Sequence, residues 1–220
     1  MVASPLKTGS VIGAVVEALT QSILGNEFQP GEKIAEVSFA ARYGVPRPTV
    51  RSALVILQEQ GLLRREPNRS VYVPRFDASD IQDIFAMRLL IETEAVRRLV
   101  RHRTVPAEAM TALRILDGLQ LASDWALFVE YDFTFHRRLV EGAGSDRLVR
   151  LYRGISAETQ LAISQLRPYY YEGATGLAGE HARIVATIQS GDESAAVAAI
   201  DDHIREAEQI LLDNLAAEGV

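Results

Sequence analysis

The sequence predicts a mainly α-helical chain in two parts, a head at residues 1–76 and an all-helical body at residues 77–220. Three observations carry this. Apolar residues recur with a 3.6-residue period along most of the chain. Leu62-Leu63-Arg64 and Val71-Tyr72-Val73 are the convincing β-like runs, and they flank the polar turn Pro67-Asn68-Arg69-Ser70, which reads as one hairpin. Pro74-Arg75-Phe76-Asp77-Ala78-Ser79 then serves as a linker, after which only helical patterning continues.

Each element of the head has its own signal. The first helix places Val11, Val15, Ala18, Leu19, Ser22 and Ile23 on one face, and Gly25 ends it before the turn Pro30-Gly31. A short second helix spans about Glu36 to Tyr43 and stops at Gly44. A third starts near Pro46, buries Val50, Leu54 and Leu57, and ends at Gly61. In the body, Ser79 or Asp80 caps the next helix, and about six helical segments follow, near 80–103, 106–122, 124–142, 145–167, 175–190 and 192–216. The segment from Pro168 to Gly179, with Tyr169-Tyr170-Tyr171, fits none of these patterns.

Composition narrows the function. The chain has 220 residues, 48% hydrophobic and 24% charged, as expected of a globular protein, and no apolar run is long enough to span a membrane. No charged start followed by an apolar stretch marks a secretion signal. With no cysteine, thiolate metal sites and disulfides are excluded, and a cytoplasmic location is expected. The net charge of −6 is unevenly spread: the head holds 9 Lys+Arg against 6 Asp+Glu, the body 14 against 23. A positive head on an acidic body permits an anionic partner.

Two short helices, a tight turn and a hairpin match a winged helix-turn-helix, whose second helix enters the major groove of DNA. The third helix opens with Arg47, Thr49, Arg51 and Ser52 opposite its apolar face, and the hairpin tip offers Asn68 and Arg69. Arginine can fork a guanine edge, and the tip can reach phosphate or the minor groove. The plainer alternative is a solvated face on an ordinary three-helix unit.

In the body, three of the four histidines fall where core residues belong. Asp132 and His136 interrupt one apolar stripe (Trp125, Phe128, Val129, Phe133, Leu139, Val140) at i and i+4, so both point to the same inner face. His181 lies in the stripe Leu177, Ile184, Val185, Ile188, and His203 in the stripe Ala196, Ile200, Ala207, Ile210, Leu211. A buried carboxylate needs a partner, and one carboxylate with three imidazoles suits Zn²⁺, Ni²⁺, Co²⁺, Mn²⁺ or Fe²⁺. Separate hydrogen-bonded core histidines are the alternative. His102, between Arg101 and Arg103 at a helix end, reads as a surface residue. Arg88 sits at the edge of the stripe Ile81, Ile84, Phe85, Leu89, Ala95, Val96, Leu99, four residues before Glu92. It is either one half of an i, i+4 ion pair or a guanidinium aimed at a ligand carboxylate.

Gln29-Pro-Gly-Glu-Lys-Ile-Ala-Glu36, Gly44-Val-Pro-Arg-Pro-Thr-Val-Arg-Ser-Ala-Leu54, Glu59-Gln-Gly-Leu-Leu63 and Pro67-Asn-Arg-Ser-Val-Tyr-Val73 together resemble the head of the GntR family of transcriptional regulators. The resemblance implies that Arg47, Thr49 and Arg51 contact DNA and that the wing near Arg69 assists. The chain departs from the family at Pro46, where Ser is usual, at Pro48-Thr49 in place of Thr-Pro, at Ser52 in place of Glu, and at Ser70 in place of Gly. Arg88-Leu-Leu-Ile-Glu92, Asp132-Phe-Thr-Phe-His136, Glu180-His181 and His203-Ile204 resemble the FCD effector-binding domain of the FadR subgroup, and six segments are similar to its shorter VanR-type variant. This second resemblance implies an antiparallel helical bundle, a divalent metal held by Asp132, His136, His181 and His203, and a small organic acid near Arg88. The expected protein is a non-enzymatic regulator, with repression as its expected mode. It would act as a homodimer on an inverted-repeat operator in double-stranded DNA. A metal-dependent hydrolase and a regulator with a purely structural metal are the alternatives.

Overall fold

The computed structural model describes residues 8–65, 70–119, 121–165 and 177–218. The chain divides into two compact units, Met1–Arg75 and Phe76–Val220. Arg69 and Tyr169-Tyr170-Tyr171 lie outside the described residues, as do the side chains of Trp125 and Leu177.

The first unit holds α1 (Thr8–Leu24), α2 (Glu36–Tyr43), α3 (Arg47–Glu59), β1 (Arg64–Arg65) and β2 (Val71–Tyr72). α1 and α2 both pack on α3. Val15, Leu19 and Ile23 meet a core built from Phe39, Val50, Ala53, Leu54 and Leu57. Val11, expected on the buried face of α1, is exposed instead. Gly44 ends α2 at φ 62, a left-handed conformation that costs glycine little. Pro46 is the residue before α3 rather than its first turn; Pro48 takes the first-turn position, where a missing N–H loses no helical bond.

The hairpin pairs one step later than the sequence suggests, Arg64 opposite Tyr72 and Arg65 opposite Val71. Leu62 and Leu63 are buried and serve as anchors under the sheet rather than as strand. The segment after Pro30 adds a third line that sequence patterning misses: Gly31 N donates to Val73 O at 2.8 Å and Ile34 N to Val71 O at 2.8 Å. β2 is therefore bonded on both edges.

The regular structure among the described residues of the second unit is all helical: α4 (Ala78–His102), α5 (Ala107–Leu116), α6 (Leu121–Gly142), α7 (Asp146–Gln165), α8 (Leu177–Ser190) and α9 (Glu193–Glu218). α4 is the central element and packs against α6, α7, α8 and α9. It starts earlier than expected, because Asp77 caps it: Asp80 N donates to Asp77 Oδ1 at 2.9 Å and Asp77 N to Asp80 Oδ2 at 3.2 Å. This reciprocal box satisfies two otherwise orphaned donors. α5 is shorter than expected. It ends at Leu116, where Gly118 N turns back to Ile115 O, consistent with the poor helix propensity of glycine. Along α4 the buried face includes Ile91, while Leu89 is only partly covered, so the stripe rotates slightly from the expected one.

Candidate functional site

α6 carries Asp132 and His136 one turn apart, α8 carries His181 and α9 carries His203. All four are buried, and one ligand atom from each lies within 4.8 Å of the others. His181 Nε2 is 3.0 Å from Asp132 Oδ1 and 3.3 Å from His136 Nε2. His203 Nε2 is 3.0 Å from His136 Nε2. Phe135, also buried, packs edge-on against the His181 ring at 4.8 Å.

Two carboxylates orient the rings from outside. His136 Nδ1 lies 2.6 Å from Glu92 Oε2, and His203 Nδ1 lies 2.7 Å from Glu180 Oε2. A carboxylate only accepts, so these partners assign the ring protons to the two Nδ1 atoms. In the neutral rings the Nε2 atoms of His136 and His203 are then bare lone pairs facing each other across 3.0 Å. That arrangement calls for a positive charge between them. A proton is a poor occupant on the His203 side: burial, then the adjacent His181 and His136 rings, pushes its pKa well below the usual imidazole range. Burial opposes ionisation of Asp132, but the hydrogen bond from His181 and the nearby rings outweigh it and hold the carboxyl well below its usual range. An anionic oxygen, two imidazoles with lone pairs turned inward and His181 Nε2, which would exchange its proton on Asp132 for the ion, fit a divalent cation.

Arg88 makes the ion pair that its spacing allows, in a buried setting. Its Nε donates to Glu92 Oε1 at 2.8 Å, so the i, i+4 ion pair exists, but both side chains are only 2% exposed. Glu92 thus bridges Arg88 to His136 with its two oxygens. Burial alone would raise the Glu92 pKa; the Arg88 guanidinium and the His136 ring pull it down to about 2. The Arg88 Nη2 atom is buried with no hydrogen-bond partner among the described residues. The guanidinium lies over the Phe85 and Phe133 rings, at 5.3 and 5.8 Å from their centroids.

Glu92 and Glu180 each hold one of the rings by its Nδ1, a contact the sequence analysis missed. Glu92 falls on the buried α4 face one turn after Arg88, a signal that was available. Glu180 stood in the Glu180-His181 block of the FCD resemblance, but its pairing with His203, 23 residues away on another helix, had no spacing signal. His102 is exposed at the end of α4, as expected.

In the first unit, Arg47, Arg51 and Ser52 are exposed at the start of α3 and Thr49 is partly covered. The two arginines share one carboxylate. Arg51 donates to Glu36 from Nε at 3.1 Å and from Nη2 at 2.9 Å, and Arg47 Nη2 lies 4.0 Å from the same side chain. Ser52 Oγ donates back to Pro48 O at 3.1 Å, which spends its proton inside the helix.

Residues 12–73 match the model of the bacterial regulatory proteins of the gntR family, and residues 83–206, more than half the chain, match the FCD domain. The chain belongs to the FCD-containing GntR regulators. LutR of Bacillus subtilis, an HTH-type transcriptional regulator, is 26% identical over 209 residues, covering 86% of this chain and 95% of LutR. The transcriptional repressor NanR of Citrobacter rodentium is 28% identical over 224 residues, covering 91% of this chain and 85% of NanR. A solved GntR structure from Rhodococcus sp. RHA1 superposes with a TM-score of 0.79 at 25% identity, covering 93% of this chain and 98% of that one. The hairpin and three helices are therefore a GntR head, and the six described helices of the second unit belong to an FCD body. No helix among the described residues is long and apolar enough to cross a membrane.

Proposed function

We propose that this GntR regulator binds an inverted-repeat operator as a homodimer in the cytoplasm and represses from it. A small carboxylate bound in the FCD body would tune its hold on DNA. The observation that carries the sensing half is the pair of bare, buried imidazole nitrogens facing each other beside Asp132. Asp132, His136, His181 and His203 would hold the cation. Bound there, a divalent metal supplies positive charge and coordination positions open to a carboxylate oxygen. Glu92 and Glu180 keep two of the rings in the tautomer that a metal requires. Arg88 contributes the unspent Nη2 donor, charged at any working pH, which suits the second oxygen of a carboxylate. The aromatic faces of Phe85 and Phe133 hold that guanidinium in place.

On the DNA side, Arg47, Thr49 and Arg51 are the base-reading candidates, with Ser52 as an acceptor and Arg69 as the wing contact. A single head makes few base contacts, so two half-sites are needed for specific binding. No catalytic step is assigned. A hydrolase needs a general base beside the metal; Glu180 adjoins His181 in sequence, but consecutive helical residues point about 100° apart, and its carboxylate is engaged by His203 Nδ1 at 2.7 Å.

The test has two stages. Chelator-treated protein is titrated with Zn²⁺, Ni²⁺ and Mn²⁺ by calorimetry; about one site per chain is expected, and no binding by any of them would overturn the metal centre. Operator affinity is then measured on the loaded protein against a panel of organic acids. A ligand that prefers one body arrangement shifts it by about 5- to 150-fold. A metal-loaded protein indifferent to every acid would leave the metal a structural role and refute sensing.

A further inference from the structure

We infer that Glu36 is a positioning residue for base readout: it clamps Arg51 so that the outer edge of the guanidinium is presented to a guanine. The inference rests on the DNA-binding reading of the head. A guanidinium has five N–H groups in one plane. Glu36 takes the inner pair, Nε–H and one N–H of Nη2, at 3.1 and 2.9 Å. Both hydrogens of Nη1 and the outer hydrogen of Nη2 remain, and Arg51 makes no other hydrogen bond among the described residues. That remaining edge has the two-donor spacing that matches O6 and N7 of guanine.

The clamp is not there for stability. The Arg51 side chain is 59% exposed, and exposed ion pairs contribute little to folding. Nor is it suited to phosphate binding, since a carboxylate beside the reading helix repels the DNA backbone. A negative charge in that place is useful only if it improves geometry. An arginine side chain free in four torsions must be ordered on binding, whereas one already held by a fork loses less freedom when it meets its base. Glu36 is itself held. It opens α2, whose N-terminal dipole favours a carboxylate, and only about a fifth of its side chain is exposed. Arg51 holds its carboxyl below the usual pKa, so the clamp stays charged at neutral pH. Arg47, at 4.0 Å from the same carboxylate, is loosely attracted and not forked, so Arg51 is the residue whose orientation is set.

The test uses a randomised double-stranded DNA library. The wild-type chain is expected to enrich sites with a guanine at one fixed position in each half. E36Q keeps the side-chain size and one acceptor but removes the charged fork. It is expected to lose that guanine preference and to bind the wild-type consensus on the order of tenfold more weakly per half-site. Its affinity for a random duplex should be unchanged or higher, and its melting temperature unchanged. In an R51A background, E36Q should have no further effect on the consensus. If E36Q binds the consensus as tightly as wild type and keeps the guanine, the clamp is an idle surface pair and the inference is overturned. If the wild-type chain enriches no sequence and binds no duplex, the regulator reading fails first and carries this one with it.

Discussion

Glu92→Gln is the perturbation that tests the body most directly while keeping its shape. Glu92 spends both oxygens, one on Arg88 Nε at 2.8 Å and one on His136 Nδ1 at 2.6 Å. Glutamine has one acceptor oxygen and, in place of the other, an NH₂ group that would face a donor. Whichever way the amide turns, one donor is stranded, and the buried Arg88 guanidinium loses its ion-pair partner. Breaking one side of a buried pair costs about 3–5 kcal/mol. In a protein of this size each kcal/mol moves Tm by about 2–4 °C, so a fall of roughly 6–12 °C is expected even at the low end of that cost. Loss of the group that orients a ligand histidine should also weaken metal binding roughly 10- to 100-fold. The assays are circular-dichroism melting of chelator-treated protein and competition for Zn²⁺ against a chromophoric chelator. A Tm within about 2 °C of wild type, together with zinc affinity within about twofold, would mean that the Arg88–Glu92–His136 chain has neither role.

His203→Ala removes one of the two facing nitrogens and should lower metal content per chain in elemental analysis; full occupancy would dismiss the ligand set. The metal-free protein should lose stability in two stages on acidification, followed by thermal melts across pH. His203 is held neutral in the fold, so below about pH 6.5 the unfolded chain binds a proton that the folded one resists. Glu92 and Asp132 have depressed folded pKa values, so their contributions are intact above about pH 4.5 and drain away as pH falls further. A flat profile from pH 8 to 5 would contradict the first stage. Gly142→Ala places a Cβ 2.3 Å from Pro106 Cγ, a ring that cannot swing aside, and should cost about 1–3 kcal/mol with lower Tm; an unchanged melt would show that the α6 end relaxes freely.

Much of the site was legible in the sequence because helical periodicity is a statement about direction. Asp132 and His136 at i and i+4 must share a face, and His181 and His203 interrupt apolar stripes that must face inward. Three helices with polar groups turned toward one core leave few places for those groups to go. The head was legible for a different reason: Gly44, Arg47, Val50, Arg51 and Leu54 stand in an order that resembles the GntR head, although Pro46 and Pro48 depart from it. The expectation for Arg88 stopped at an even choice between an ion pair and a ligand contact, since spacing alone gives neither the burial of the side chain nor what its remaining donors face; the structure supplies the pair with Glu92 and its burial.

By itself the sequence determined which side chains point inward and where helices end, because both follow from local geometry repeated every 3.6 residues. Only the tertiary structure decided which of those inward groups meet. Glu180 reaches His203 across two helices, Glu92 joins Arg88 to His136, and Glu36 forks Arg51 from a neighbouring helix. Each of these contacts depends on how two elements are rotated and spaced against each other. That is set by packing of whole surfaces, which no single segment of chain encodes.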